Sequence, residues 1–187
     1  MILGIIFAIV FVIIMFAVMI YNRLVRLRAL VKEAFSGITV QLRRRADLIP
    51  NLVETVKGYA THEKSTFEAI TAARGAMASG GGVAATAAAD ANMTGLIGRL
   101  FAVAEAYPEL KASANFQQLQ GEISGIETEL QSARRYYNAT ARDLNTRIQS
   151  FPDTLFAGPL GFTQEEYYQD TDPAIQAAPK IDFTPSA

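Results

Sequence analysis

Residues Ile2 to Ile20 form an uninterrupted apolar run of 19 residues, and no other feature limits the fold of this chain so strongly. At about 1.5 Å per residue such a run makes a helix of roughly 28 Å, close to the hydrocarbon thickness of a bilayer. Fourteen of its residues are Ile, Leu, Val or Phe. At about −0.3 to −0.6 kcal/mol each they favour insertion by on the order of 4 to 8 kcal/mol, and no charge opposes them. A cleaved signal peptide needs basic residues at its start and a small-x-small exit; here apolar residues follow Met1 directly and the exit reads Val18-Met19-Ile20. The run also lacks the polar face of a helix that packs at the surface of a globular core. Residues 1–21 are therefore expected to be a retained transmembrane anchor.

Tyr21, an aromatic suited to the membrane interface, is followed by Arg23, Arg26, Arg28 and Lys32, with Arg43, Arg44 and Arg45 further on. This is the cationic flank, so the positive-inside rule predicts a single-pass protein with its C-terminal domain in the cytoplasm and a minimal N-terminus outside. The same arginines could lie along anionic headgroups or form a solvated helix face. The formal net charge is only −1, because an acidic end of the chain balances the basic stretch. Nucleic acid is not an expected partner. With no cysteine in the chain, disulfides, thiolate metal sites and cysteine nucleophiles are excluded together.

Beyond Leu24 apolar side chains recur at helical spacing. One heptad position holds Phe35, Leu42, Ile49, Val56, Ile70 and Met77, interrupted by Glu63; another holds Val31, Ile38, Leu52 and Tyr59, interrupted by Arg45. Such a seam suits knobs-into-holes packing. The phase survives Asp47-Leu48-Ile49-Pro50, so Pro50 either kinks one long helix or begins a second in matching register. Ser79-Gly80-Gly81-Gly82 must end the helix, since adjacent glycines carry a large backbone entropy cost. As a phosphate loop it lacks the preceding strand and the following Lys-Ser or Lys-Thr. The alanine-rich stretch Ala84 to Ala91 restarts a helix that runs to Tyr107, where Pro108 interrupts it.

A last helix is predicted from about Ala112 to Ser150, with Phe116, Leu119, Ile123, Ile126, Leu130, Ala133, Tyr137, Leu144 and Ile148 on one stripe. At this length it would be roughly 58 Å long, which calls for an elongated domain. The expected fold is all-α: an N-terminal transmembrane helix followed by an elongated up-and-down antiparallel helix bundle or extended hairpin. The aromatics of 151–168 should pack back on the bundle. From residue 169 to 187 the chain is rich in Pro, Ala, Asp and Thr and reads as a disordered, mildly acidic tail. Phe183 within it is a candidate linear motif.

Several strings resemble the LemA family. They are Tyr21-Asn22-Arg23-Leu24-Val25, then Val40-Gln41-Leu42-Arg43-Arg44-Arg45-Ala46-Asp47-Leu48-Ile49-Pro50-Asn51-Leu52-Val53, of which the second is highly specific. Val56-Lys57-Gly58-Tyr59-Ala60-Thr61-His62-Glu63 and Ala104-Glu105-Ala106-Tyr107-Pro108-Glu109-Leu110-Lys111-Ala112 continue the match, and Ala133-Arg134-Arg135-Tyr136-Tyr137-Asn138, Phe151-Pro152 and Gly161-Phe162 close it. The resemblance implies a bacterial membrane protein, placed in the inner cell membrane, with a four-helix bundle over residues 22–168 and a turn at Asp47–Pro50 in place of an unbroken helix. It implies no settled biochemical activity. The chain departs from the pattern mainly in the glycine- and alanine-rich residues 79–91.

No catalytic constellation emerges, and no catalytic, cofactor-binding or metal residues are assigned. His62-Glu63 is the one place for histidine chemistry, but a helical zinc site needs a second histidine four residues on and Thr66 stands there. Glu54, Glu63, Glu105, Glu122, Glu127 and Glu129 could supply a carboxylate metal site, yet the Glu-x-x-His spacing of di-iron bundles is missing. His62 is read as a polar helix residue that bonds a carboxylate. Asp47 is expected to cap the helix or pair near Arg43–Arg45, and Asn51 to bond the carbonyl freed by Pro50. Arg134, Arg135 and Asn138 form either a partner surface or a solvated face. Tyr136-Tyr137 and Tyr167-Tyr168 are either interface or core aromatics. The expected function is a non-enzymatic, membrane-anchored scaffold or interaction protein whose partners are the bilayer and other proteins or a second copy of itself, with no cofactor. The alternative is a membrane-bound metal-dependent hydrolase centred on His62.

Overall fold

The computed structural model describes residues 1–60, 62–78 and 80–169. The tail expected to be disordered, apart from Gln169, and Phe183 within it, lie outside the described residues, as do Thr61 and Ser79. The first element, α1 (Ile2–Lys57), is one helix of 56 residues, about 84 Å long. Its first eighteen residues are exposed or half-exposed apolar side chains, and α1 is long and apolar enough to cross a membrane. From Ile20 onward one stripe, Ile20, Leu24, Val31, Ala34, Ile38, Leu42, Ile49, Leu52, Val53 and Val56, is buried.

Pro50 lies inside α1 and does not begin a new element, which corrects the turn that the family resemblance implied at Asp47–Pro50. A proline there removes the N–H that would bond the carbonyl of Ala46. Arg74 Nε donates to that oxygen at 3.1 Å, so the backbone acceptor is satisfied from the neighbouring helix and not by Asn51. The buried residues Leu52, Val53 and Val56 beyond it then hold the helix in phase.

The chain turns after α1, at Gly58 and Tyr59, and continues into α2 (Lys64–Ala78), passes the glycine loop, where Gly80 adopts φ +71°, and enters α3 (Val83–Glu105). Pro108 opens the short α4 (Pro108–Lys111), and α5 (Ala114–Gln149) follows. It is a few residues shorter than the predicted helix of 112–150. After it come a tight turn with α6 (Thr154–Ala157) and an extended segment, residues 162–169.

Successive long helices alternate in direction, so the fold is an all-α up-and-down bundle without strands among the described residues. Contacts fix the directions. Arg74 meets Ala46 and the Lys57 ammonium lies over the Phe67 ring, so α2 is antiparallel to α1; Arg45 meets Glu127 and Phe35 meets Tyr137, so α5 is antiparallel to α1 as well. The distal half, around Leu52, Ile70, Met93, Leu100 and Ile123, is a core of four helices. In the proximal half α2 and α3 contribute only their ends, through Met77, Val83 and Ala87, and most of the α1–α5 seam is closed by Ala157, Phe162 and Tyr168. The extended C-terminal segment thus acts as a strap over residues that two helices alone would leave wet.

Candidate functional site

Where distal and proximal halves meet, a charge cluster is buried in the bundle. Arg45 occupies a heptad position of α1, and its side chain is 0% exposed. A buried guanidinium must have counter-charges and acceptors. Arg45 Nη2 donates to Asp90 Oδ1 of α3 at 2.6 Å, and its Nη1 pairs with Glu127 of α5 and donates to Thr94 Oγ1 at 3.0 Å. Asp90, itself 2% exposed, is the hub. Its other oxygen, Oδ2, accepts from Arg134 Nη2 at 2.5 Å and from the Tyr168 hydroxyl at 2.5 Å. The Arg134 guanidinium also lies 5.6 Å from the centre of the Tyr168 ring, within cation–π range. Two cations, two carboxylates and a neutral phenol from α1, α3, α5 and the strap therefore meet at one point, with charge balanced.

The environment reinforces these protonation states. Burial, the hydrogen bond to Asp90 and the Asp90 charge all raise the Tyr168 phenol well above its ordinary value, keeping it a donor. Burial is the largest influence on Arg134 and opposes its charge, but Asp90, Tyr168 and Glu127 together outweigh it and the guanidinium is held above its usual range. Tyr137 is pushed up to about 12 by burial and by the charges of Glu165 and Glu166.

The strap is tied down by backbone recognition. Asn145 Nδ2 donates to the Glu165 carbonyl at 2.8 Å while the Glu165 N–H donates to Asn145 Oδ1 at 2.8 Å. Asn138 does the same for Tyr168, at 2.9 and 2.8 Å, and the Tyr137 hydroxyl donates to the Glu166 carbonyl at 2.7 Å. Asn138 and Asn145 are two turns apart on one face of α5, which matches the run of an extended chain laid along it. The strap enters through Gly161, whose φ of +76° suits the left-handed position of a helix C-terminus; Phe162 N–H bonds the Ala157 carbonyl and Gly161 N–H that of Gly158, the Schellman pattern. Below it the buried Asp153 pairs with Arg147 of α5.

The sequence-based candidates are dispersed. His62 is exposed in the turn between α1 and α2, outside any helix, which corrects its reading as a helix residue. Glu54 pairs with Lys57, Glu105 with Lys111, and Glu122 accepts from Gln118. Glu127 serves Arg45. No group of three or more His, Asp or Glu that could hold a metal occurs among the described residues. Asp47 is exposed, and Arg45 turns to Asp90 and Glu127 and not to it. Arg134 and Asn138 face inward as members of the cluster and the strap anchor, so they do not form the surface once open to them; Arg135 is exposed and donates to Ser132. Of the tyrosines, Tyr137 and Tyr168 are core, while Tyr136 and Tyr167 are exposed. Asp90, Asn145 and Asp153 escaped sequence reasoning, although Asp90 is the lone charge in the alanine-rich stretch. An open cleft of about 650 Å³ lies beside the cluster, between α1, α2 and α3, with Arg43, Asp47 and Arg74 among its lining residues.

The LemA family model matches residues 34–183, a span that takes in Arg45, Asp90, Glu127, Arg134 and the strap. Among similar proteins are Magnetosome protein MamQ 2 of Paramagnetospirillum magneticum, 27% identical over 176 residues, and Magnetosome protein MamQ of Magnetospirillum gryphiswaldense, 25% identical over the same length. In each the match covers 80% of this chain and 65% of the relative, so the chain spans about two thirds of their length. Protein LemA of Metamycoplasma hominis is 30% identical over 153 residues, covering 81% of this chain and 69% of the relative. By the family match and by this likeness, the chain belongs to the LemA family.

Proposed function

We propose that this protein is a membrane-anchored helical scaffold, held by α1 in the inner membrane of a bacterium with its bundle in the cytoplasm, where it presents helical faces to other proteins or to a second copy of itself. The observation that carries the reading is the continuity of α1, whose apolar stretch and bundle stretch are one helix from Ile2 to Lys57. A bundle joined to its anchor through a loop would swing freely. Here about 55 Å of helix beyond Ile20 projects as a rigid post at a rise of 1.5 Å per residue, and the Asp90 cluster and the strap brace α3 and α5 against it. The exposed arginines Arg23 and Arg26 support the cytoplasmic side through the positive-inside rule. Likeness to magnetosome proteins supports a place in an assembly.

Proximity labelling from an enzyme fused after Ala187 tests side and partners together. Enriched cytoplasmic and inner-leaflet neighbours are expected, and Arg135→Glu, on the exposed face of α5, should alter their pattern without unfolding the bundle. Labelling confined to periplasmic proteins would overturn the orientation. Absence of any enriched neighbour, the chain itself included, would overturn the scaffold.

A further inference from the structure

The turn that follows α5 exposes large apolar side chains. Phe151 is 80% exposed, Leu155 62% and Leu160 39%, three within ten residues, whereas along the long helices beyond Tyr21 large apolar side chains are exposed only singly, at Val40 and Tyr136, among the described residues. Their level along the molecule follows from the α1–α5 register. Arg45 pairs with Glu127, and the Phe35 ring lies 5.8 Å from that of Tyr137, so ten residues back along α1 match ten residues forward along α5. About fourteen residues further in the same register, roughly 21 Å at helical rise, Tyr21 of α1 stands level with Phe151.

Contacts of the strap place the turn at the same height. The Phe162 ring lies 5.8 Å from the Tyr21 ring at 70°, and the Arg28 guanidinium sits 4.6 Å from the Phe162 centroid. Ile20, the last residue of the apolar run, is buried in the cluster that contains Ala157 and Phe162. The exposed apolar turn is thus continuous with the point where the exposed apolar surface of α1 ends, and Arg23 and Arg26 are exposed in the same belt.

We propose that the turn 151–160 is a second membrane contact, a wedge that seats Phe151, Leu155 and Leu160 in the headgroup–acyl boundary of the leaflet from which α1 emerges. Apolar side chains flanked by arginines and an interfacial tyrosine match the chemistry of that boundary. The inference rests on α1 being a membrane span. It gives the protein two points of contact with one leaflet, which fix the tilt of the post where a lone helix would leave it free to lean.

The chain has no cysteine, so single cysteines at Val12, Leu155 and Glu68 can each carry a fluorophore on the full chain in phosphatidylcholine–phosphatidylglycerol vesicles. Quenching is compared for iodide in water and for nitroxide lipids labelled near the headgroup or deep in the acyl chain. With Val12→Cys quenched by the deep nitroxide, Leu155→Cys is expected to respond to the shallow nitroxide and to show several-fold weaker iodide quenching than Glu68→Cys at the far end. Iodide quenching of position 155 equal to that of position 68, with Val12 still in lipid, would overturn the wedge and leave the anchor standing. Protection of position 155 from iodide and both nitroxides would mean that protein covers it, which also overturns the proposal. Strong iodide quenching at Val12 would defeat the anchor and the wedge with it.

Discussion

Asp90→Asn removes one charge and almost no volume, so it isolates the electrostatic contribution of the cluster from any cavity. In the native protein the Asp90 carboxylate accepts from Arg45, Arg134 and Tyr168. With asparagine there, Arg45 keeps Glu127, whose side chain is 28% exposed, while Arg134, 22% exposed, can turn toward water. Breaking a buried pair by removing one partner costs about 3–5 kcal/mol; since Arg134 can rehydrate and Arg45 retains one counter-charge, the lower end, about 3 kcal/mol, applies. For a chain of this size each kcal/mol moves the melting midpoint by about 2–4 °C, so Asp90→Asn should lower Tm by roughly 6–12 °C. The assay is the helical circular dichroism signal of the full chain in detergent micelles at pH 7. Arg45→Met should then cost less in the Asp90→Asn background than in the wild type, with a coupling on the order of 1–3 kcal/mol. A shift within about 1 °C, or strict additivity of the two substitutions, would refute Asp90 as the hub.

Leu130→Asp puts an unpaired carboxylate at a fully buried position of α5 and should cost several kcal/mol; an unchanged thermal midpoint would contradict the packing of α5 on α1. Asn145→Ala removes both hydrogen bonds to Glu165 and should raise hydrogen exchange across residues 162–168 by about tenfold for each 1.4 kcal/mol lost, with α5 still protected; equal exchange in mutant and wild type would show that the strap is held elsewhere. Tyr137 has a folded pKa raised to about 12 from an ordinary value of 10.0, so its contribution is complete below pH 10 and is lost as the pH rises toward 12. The midpoint should accordingly be flat up to about pH 9 and fall above 10, with a shallower fall in Tyr137→Phe; identical alkaline profiles would dismiss the phenol as the cause.

Much of the architecture was legible because it rests on local pattern. The apolar run, the heptads at Leu42, Ile49 and Val56, the glycine break before Val83 and Pro108 each act within a turn or two of their own position, and each appears where the pattern placed it. Pro50 was not legible. Whether a proline ends a helix depends on who takes the carbonyl it frees, and the donor, Arg74, lies 28 residues away. The strap was legible only in part: of the aromatics of 151–168 expected to pack back on the bundle, Phe162 and Tyr168 do so while Phe151 and Tyr167 stay exposed, and because residues 162–168 carry no periodicity, the asparagines of α5 that bind their backbone could not be read from their own side-chain spacing.

The cluster had two local signs, the arginine that breaks the heptad stripe at position 45 and the lone charge of the alanine-rich stretch at Asp90. Taken alone, an arginine in a seam reads as a defect or as a solvated face, since a charge gains nothing from burial unless partners converge on it. Those partners sit 45 and 82 residues further on, and Tyr168 is 78 residues beyond Asp90. Three helices and the strap must be in place before all of them meet at Asp90, so no window of sequence contains the site. The same distance gives the cluster its physical effect. An apolar seam tolerates sliding by a heptad, because leucines at successive positions are interchangeable; a buried arginine does not, because a shift of one helical turn carries it away from Asp90 and leaves both charges unpaired. Arg45 thus fixes the register of α1 against α3 and α5, and through that register it sets the level at which the turn after α5 stands beside the end of the apolar run.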